Sequence, residues 1–95
     1  MLNELFEIIL DRQKKPQPGS YTNKLLDGDL DAVLQKVGEE SVEVILAAKG
    51  QGNQRLVEEV SDLFYHTLVL LARQGVSLAE VEAELRRRHA VPKAK

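Results

Sequence analysis

The sequence of 95 residues predicts an all-α fold, an antiparallel bundle of about four to five helices that assembles as a dimer. Apolar side chains recur every three to four residues over long segments, which is the period of an amphipathic helix. No segment sustains the alternation of a strand, and the chain contains no Asn-Gly hairpin turn. Short connections rich in glycine or proline separate the helical segments, and helices joined in this way pack as antiparallel neighbours.

The first two helical segments lie on either side of a proline-containing connection. A helix is predicted from about Leu2 to Arg12, because its apolar residues fall on one stripe. Residues 14–19 include two prolines and a glycine and therefore predict a loop. About one helical turn is predicted over residues 20–26, closed by Gly28.

Two long helices follow, each bounded by capping residues. The first is predicted from about Leu30 to Lys49, with Asp29 as its N-cap and Gly50 as its stop. The second is predicted over about 54–74, with Asn53 as its N-cap.

Gly75 ends the second long helix, and a capping box opens the last one. In this box Ser77 and Glu80 can each satisfy the backbone N–H of the other at the first turn. The last helix is predicted to run to about His89.

Composition excludes several classes of function. The chain is 43% hydrophobic and 29% charged, as expected for one globular domain spanning 1–95. The absence of cysteine excludes disulfides, zinc–thiolate sites and thiol nucleophiles. A net charge of -2 and an aromatic content of 4% argue against nucleic acid as a partner. No apolar run approaches a membrane span, and the N-terminus does not resemble a signal peptide, so a cytoplasmic location away from membranes is expected.

The helix predicted over residues 30–49 carries acids beside its predicted core face. At 100° per residue, the predicted core face comprises Val33, Leu34, Val37, Ser41, Val44, Ile45 and Ala48. Lys36, Glu40 and Glu43 lie together on one flank of that face, and Glu39 lies just beyond them.

The helix predicted over residues 54–74 shows a related arrangement. Glu59, Asp62 and His66 line one edge of an apolar band. We interpret His66 as forming a structural hydrogen bond or as supporting a metal ligand. The band is wider than one neighbouring helix would cover, which favours packing against a second copy of the chain.

If the two long helices pack antiparallel, Glu40 and Glu43 face Glu59 and Asp62. Four carboxylates at one seam repel one another unless a positive charge lies between them. Mg²⁺ prefers oxygen ligands, and carboxylates spaced three residues apart on paired helices are a known way to hold a metal. The alternative is that these acids are solvated surface residues, since most acids on amphipathic helices are.

The acids also form a motif that is similar to a known family. Residues 39–43 and 59–62 resemble the EExxE…ExxD signature of the all-α nucleotide pyrophosphatases, the MazG-like superfamily. Within that superfamily, residues 19–25 (Gly-Ser-Tyr-Thr-Asn-Lys-Leu) resemble the corresponding segment of the phosphoribosyl-ATP pyrophosphatases of histidine biosynthesis. The resemblance extends over nearly the whole chain.

The resemblance implies an activity and a set of site residues. It implies Mg²⁺-dependent hydrolysis of the α–β phosphoanhydride of phosphoribosyl-ATP, which gives phosphoribosyl-AMP and pyrophosphate. It also implies a homodimer. The implied magnesium ligands are Glu40, Glu43, Glu59 and Asp62. Glu39 and Glu40 are the implied catalytic acids, Glu39 either as a further ligand or as the group that orients water.

Phosphate oxygens away from the metal need cationic or hydroxyl donors. The candidates for these substrate contacts are Lys36, Ser20, Thr22 and Lys24. A helix cap at Ser20 or Thr22 and a solvated Lys24 are the structural alternatives.

Two other functions are compatible with the same residues. The same metal site could serve a house-cleaning pyrophosphohydrolase that acts on ordinary or damaged nucleoside triphosphates. A non-catalytic helical dimerisation module would instead leave the acids solvated and would bind no magnesium.

Overall fold

The computed structural model describes residues 1–89, which form five α-helices and no strand. The helices are α1 (Leu2–Lys14), α2 (Tyr21–Asp27), α3 (Leu30–Gly50), α4 (Asn53–Gln74) and α5 (Leu78–His89). The predicted all-α class is confirmed, and the helix bounds lie within about two residues of those expected from the sequence, the usual uncertainty at helix ends. None of the helices in the described part of the chain is long and apolar enough to cross a lipid bilayer.

Capping side chains and glycines set most of the helix ends. Asp29 Oδ1 accepts from the backbone N–H of Asp31 at 3.0 Å, and the Ser77 hydroxyl accepts from the N–H of Glu80 at 3.1 Å. Gly75 ends α4 with a φ of 74°, in the left-handed region that favours glycine. The predicted cap of α4 is wrong: Asn53 is the first helical residue, and Gly52 occupies the cap position.

The apolar core lies at one end of the α3–α4 hairpin. α1 and α2 pack there against the start of α3 and the second half of α4. Ile9, Val33 and Val69 are almost fully buried in this cluster. Its members are Phe6, Ile9, Leu25, Leu26, Val33, Leu68, Val69 and Ala72. The core therefore anchors the hairpin at that end and leaves its middle to the polar groups described below.

The core face predicted for α3 is wrong within the single chain. Val33 is buried as expected, yet Ala47 is also buried, outside the predicted face. Four of the seven predicted core residues are exposed, namely Leu34, Ser41, Ile45 and Ala48. The reason is that α3 packs against α4 through the flank that carries Glu40 and Glu43, which turns much of its apolar face away from the chain.

Candidate active site

The acids of α3 and α4 meet along the seam of an antiparallel helix pair. Glu40 on α3 touches His66 on α4. Three residues further along α3, Glu43 lies close enough to raise the pKa of Glu59, which is earlier on α4. Residue numbers thus fall along α4 as they rise along α3, as antiparallel packing requires. The structure brings the predicted acid pairs of the two helices to one seam. We call it the acid seam; its residues are Glu40, Glu43, Glu59 and Asp62.

Glu40 is largely enclosed on α3. Its side chain is 13% exposed, and its Oε1 atom lies 2.5 Å from Nδ1 of His66. That nitrogen also lies 3.0 Å from the carbonyl oxygen of Asp62, in better alignment for a hydrogen bond. Glu40 Oε1 is therefore a buried carboxylate oxygen that touches His66 but has no aligned hydrogen-bond donor. A buried oxygen of this kind is costly unless a positive group completes its surroundings.

Glu59 is buried on α4, and its side chain is 8% exposed. Its Oε2 atom accepts from Nη2 of Arg55 at 2.6 Å. Burial raises the pKa of Glu59 above its ordinary value; Arg55 opposes this shift, and the charges of Glu43 and Asp62 add to it. The seam therefore holds more negative charge around Glu59 than the single Arg55 offsets.

The remaining acids are more open to solvent. Glu43 is half-buried, whereas Asp62 and Glu39 are exposed. Glu39 accepts from Gln35 Nε2 at 2.9 Å and lies 4.0 Å from Nζ of Lys36. In residues 1–89, no three His, Asp or Glu side chains converge closely enough to enclose a metal ion.

The donor set nevertheless fits a hard divalent cation. The acids expected to be ligands, which supply only carboxylate oxygens, are Glu40, Glu43, Glu59 and Asp62. Mg²⁺ and Mn²⁺ favour such ligands over nitrogen and sulfur. The buried, unpaired Oε1 of Glu40 and the raised pKa of Glu59 both mark a place where added positive charge would be favourable.

The short helix α2 borders the acid seam. Ser20 is its N-cap, since the hydroxyl oxygen accepts from the backbone N–H of Asn23 and from Arg12 Nη1, each at 3.2 Å. The Thr22 hydroxyl forms a short contact with the Tyr65 hydroxyl, and Lys24 is exposed. The structural alternative for Ser20, a helix cap, is thus present in the structure.

Tyr21 was not among the site residues predicted from the sequence. Its hydroxyl lies 2.8 Å from Nε2 of His66. Burial raises the pKa of Tyr21; the charge of Lys36 opposes the shift, and Tyr65, Glu40 and Asp62 add to it. The only sequence signal for this role is the position of Tyr21 within the Gly-Ser-Tyr-Thr segment, because periodicity cannot show which helices α2 meets.

Comparison with known proteins matches the chain to one family. Residues 2–89 match the family model described as phosphoribosyl-ATP pyrophosphohydrolase. A phosphoribosyl-ATP pyrophosphatase of Listeria welshimeri is 58% identical over 93% of this chain and 84% of its own length. The proteins of that name from Lactiplantibacillus plantarum and Clostridium botulinum are 49% and 47% identical, over 92% and 93% of this chain and 82% and 80% of their own lengths. The chain belongs to the phosphoribosyl-ATP pyrophosphohydrolase family.

Proposed function

We propose that this chain hydrolyses the α–β phosphoanhydride of phosphoribosyl-ATP in a Mg²⁺-dependent reaction, the second step of histidine biosynthesis. Water adds to phosphorus, and phosphoribosyl-AMP and pyrophosphate are the products. The observation that carries the proposal is the family match over residues 2–89, in a fold that places the acids of both motif halves at one seam. A cytoplasmic location fits a biosynthetic enzyme of this kind.

The carboxylates have two roles in this proposal. Glu40, Glu43, Glu59 and Asp62 would hold the cation, with Glu40 presenting its buried Oε1 atom. Bound magnesium neutralises negative charge that develops on phosphate oxygens during phosphoryl transfer. Glu39 is exposed beside this group, so its carboxylate can reach water and orient or deprotonate it. Glu40 would contribute to catalysis by holding the bound cation in position.

Donors from α2 and α3 would bind phosphate oxygens. Lys36 is half-buried near Tyr21 and Glu39, on the same side of α3 as the acids. Lys24 is exposed on α2, where its ammonium group is free to reach an anionic substrate. Ser20 accepts two hydrogen bonds through its oxygen, which leaves its own hydroxyl hydrogen for a phosphate oxygen. The Thr22 hydroxyl, which contacts the Tyr65 hydroxyl, is the fourth candidate donor.

A second copy of the chain would complete the fold. The described chain has a radius of gyration of 15.6 Å, whereas a compact domain of this length has one of about 12 Å. Six large apolar side chains of α3 and α4 are more than two-fifths exposed, namely Leu34, Val42, Ile45, Leu46, Val57 and Phe64. An exposed apolar surface of this extent is typical of a protein interface. We therefore propose a homodimer in which the partner covers these faces.

Pyrophosphate release from a panel of substrates tests the proposed activity. Phosphoribosyl-ATP, ATP and the deoxynucleoside triphosphates are compared with Mg²⁺ and with a chelator. Release from phosphoribosyl-ATP alone, and only with Mg²⁺, is the expected result. Release from the general panel instead would assign the protein to nucleotide house-cleaning. No release from any substrate would contradict both enzymatic functions and favour a dimerisation module.

A further inference from the structure

Three side chains from three helices form a continuous polar chain that ends at a predicted metal ligand. The Tyr21 hydroxyl of α2 lies 2.8 Å from Nε2 of His66 on α4. The other ring nitrogen of His66, Nδ1, lies 2.5 Å from Oε1 of Glu40 on α3. His66 therefore links the short helix α2 to the acid flank of α3.

The surroundings of the ring indicate which nitrogen carries the hydrogen. Nδ1 is aligned for a hydrogen bond to the carbonyl oxygen of Asp62 at 3.0 Å, and it is also in contact with the carboxylate of Glu40. A neutral imidazole with its hydrogen on Nδ1 presents Nε2 as an acceptor, and the Tyr21 hydroxyl then donates to it. Tyr21 thus favours the tautomer that turns an N–H toward the oxygens of the seam.

Packing holds the ring in this orientation. His66 is 6% exposed. The rings of Tyr21 and Tyr65 meet it edge to face, with centroid distances of 5.8 Å and 5.0 Å. Rotation of the imidazole away from Glu40 would require these aromatic side chains to move. Glu40, a predicted ligand, is therefore held against a buried side chain of the neighbouring helix.

We propose that His66 is a positioning residue, oriented by Tyr21, that fixes the carboxylate of Glu40 for cation binding. The proposal rests on the proposed function, since it presumes that Glu40 is a metal ligand. It also ties α2, which carries the predicted phosphate donors Thr22 and Lys24, to the metal-binding flank of α3. Groups that orient metal ligands in this way commonly change metal affinity about 10- to 100-fold when removed.

Mn²⁺ affinity of the purified protein tests the proposal without any substrate. The variant Tyr21→Phe removes one hydroxyl and keeps the ring, and Tyr65→Phe is the matched control. The Tyr65 ring packs against the rings of Tyr21 and His66, but its hydroxyl contacts Thr22 rather than His66. We expect Tyr21→Phe to weaken Mn²⁺ binding about 10-fold and Tyr65→Phe to leave it within about twofold of the wild type. Thermal melts in chelator show that both variants are folded.

Replacement of His66 separates positioning from packing. The variant His66→Asn places an amide near the position of Nδ1, and His66→Ala removes both ring nitrogens. We expect Asn to retain more Mn²⁺ affinity than Ala at comparable melting temperature. Equal Mn²⁺ binding by the wild type and Tyr21→Phe, or equal losses in Tyr21→Phe and Tyr65→Phe, would overturn the positioning role alone. Absence of Mn²⁺ binding by the wild type would overturn the proposed metal site itself.

Discussion

The guanidinium of Arg55 donates to the buried carboxylate of Glu59 one turn further along α4, with Nη2 and Oε2 2.6 Å apart. Burial raises the pKa of the Glu59 carboxyl group despite the opposing charge of Arg55, and the negative charges of Glu43 and Asp62 add to the shift. A side chain from the same helix thus offsets only part of the charge at the acid seam.

Replacing Glu59 by glutamine should stabilise the metal-free protein in a pH-dependent manner. The folded-state pKa of Glu59 is raised above its ordinary 4.5, so the folded protein loses stability relative to the unfolded chain as pH rises from about 4.5 through that pKa. Glu59→Gln removes this loss. In thermal melts with chelator, the melting temperature of Glu59→Gln should therefore rise relative to that of the wild type as pH increases from about 4.5 through the raised pKa of Glu59.

Glu58 provides the control with the opposite sign. Hydrogen bonds from Gln54 and Arg55 lower its pKa below 4.5, so its contribution to stability is present above 4.5 and is lost as pH falls through the lowered value. Glu58→Gln should lose stability relative to the wild type as pH rises through the lowered pKa toward 4.5. Identical pH profiles for the Glu59 and Glu58 variants would contradict the placement of Glu59 in an acidic, buried seam.

Magnesium should stabilise the folded protein through Glu40. Binding to the folded state alone contributes about 2.7 kcal/mol at a hundredfold excess over the dissociation constant, which corresponds to about 11 to 22 °C in melting temperature for a domain of this size. Glu40→Gln should lose most of that rise, because the buried Oε1 atom loses its charge. Scanning fluorimetry with Mg²⁺ and with chelator measures the effect. A wild-type melting temperature that is indifferent to Mg²⁺ would argue against a metal site.

Removing the side chains of Ser20 and Lys24, the N-cap and an exposed residue of α2, should have different effects. Ser20→Ala removes the cap of α2 and should cost about 1 kcal/mol of stability; it should also raise KM, because a phosphate donor is lost. Lys24 is exposed, so Lys24→Ala should leave stability unchanged while raising KM about tenfold through loss of a charged contact. Denaturant titration and steady-state kinetics measure both quantities. A destabilised Ser20→Ala protein with wild-type KM would show that Ser20 acts only as a cap.

Introducing a charged residue on the exposed apolar face of α3 should dissociate the proposed dimer. Ile45 is 61% exposed in the single chain, so Ile45→Asp is compatible with the monomer fold but buries an unpaired charge at the interface. Sedimentation velocity at micromolar concentration should show a dimer for the wild type and a monomer for the variant. Ile8→Asp, on α1 and 51% exposed, is the control. A monomeric wild type would rule out the dimer under these conditions.

The helices could be predicted from the sequence because their signals are local. Asp29, Gly75 and the Ser77–Glu80 box act on backbone groups within one turn, so short patterns suffice to place the ends. The face that α3 buries is not a local property. Apolar residues such as Leu34 and Ile45 predict a core face, but within the chain α4 meets the acid flank instead. An apolar stripe shows that a face needs a partner and does not say whether that partner is the same chain.

The acid seam was partly predictable for the same reason. The spacing of Glu40 and Glu43, and of Glu59 and Asp62, places each pair on one helix face. The contact of Glu40 with His66, and of His66 with Tyr21, depends on how three helices cross. Periodicity contains no information about how helices cross, so the sequence predicts that His66 lies at the seam but not which side chains it contacts.

The most direct test of the proposed active site is the rate of pyrophosphate release from phosphoribosyl-ATP by the wild type, Glu40→Gln and Glu58→Gln. Glu40 has a buried oxygen at the seam, whereas Glu58 is exposed and pairs with Arg55. The proposed site predicts Mg²⁺-dependent release by the wild type, an approximately 100-fold loss in Glu40→Gln and little change in Glu58→Gln. Equal rates for the wild type and Glu40→Gln would contradict the assignment of the acid seam as the active site.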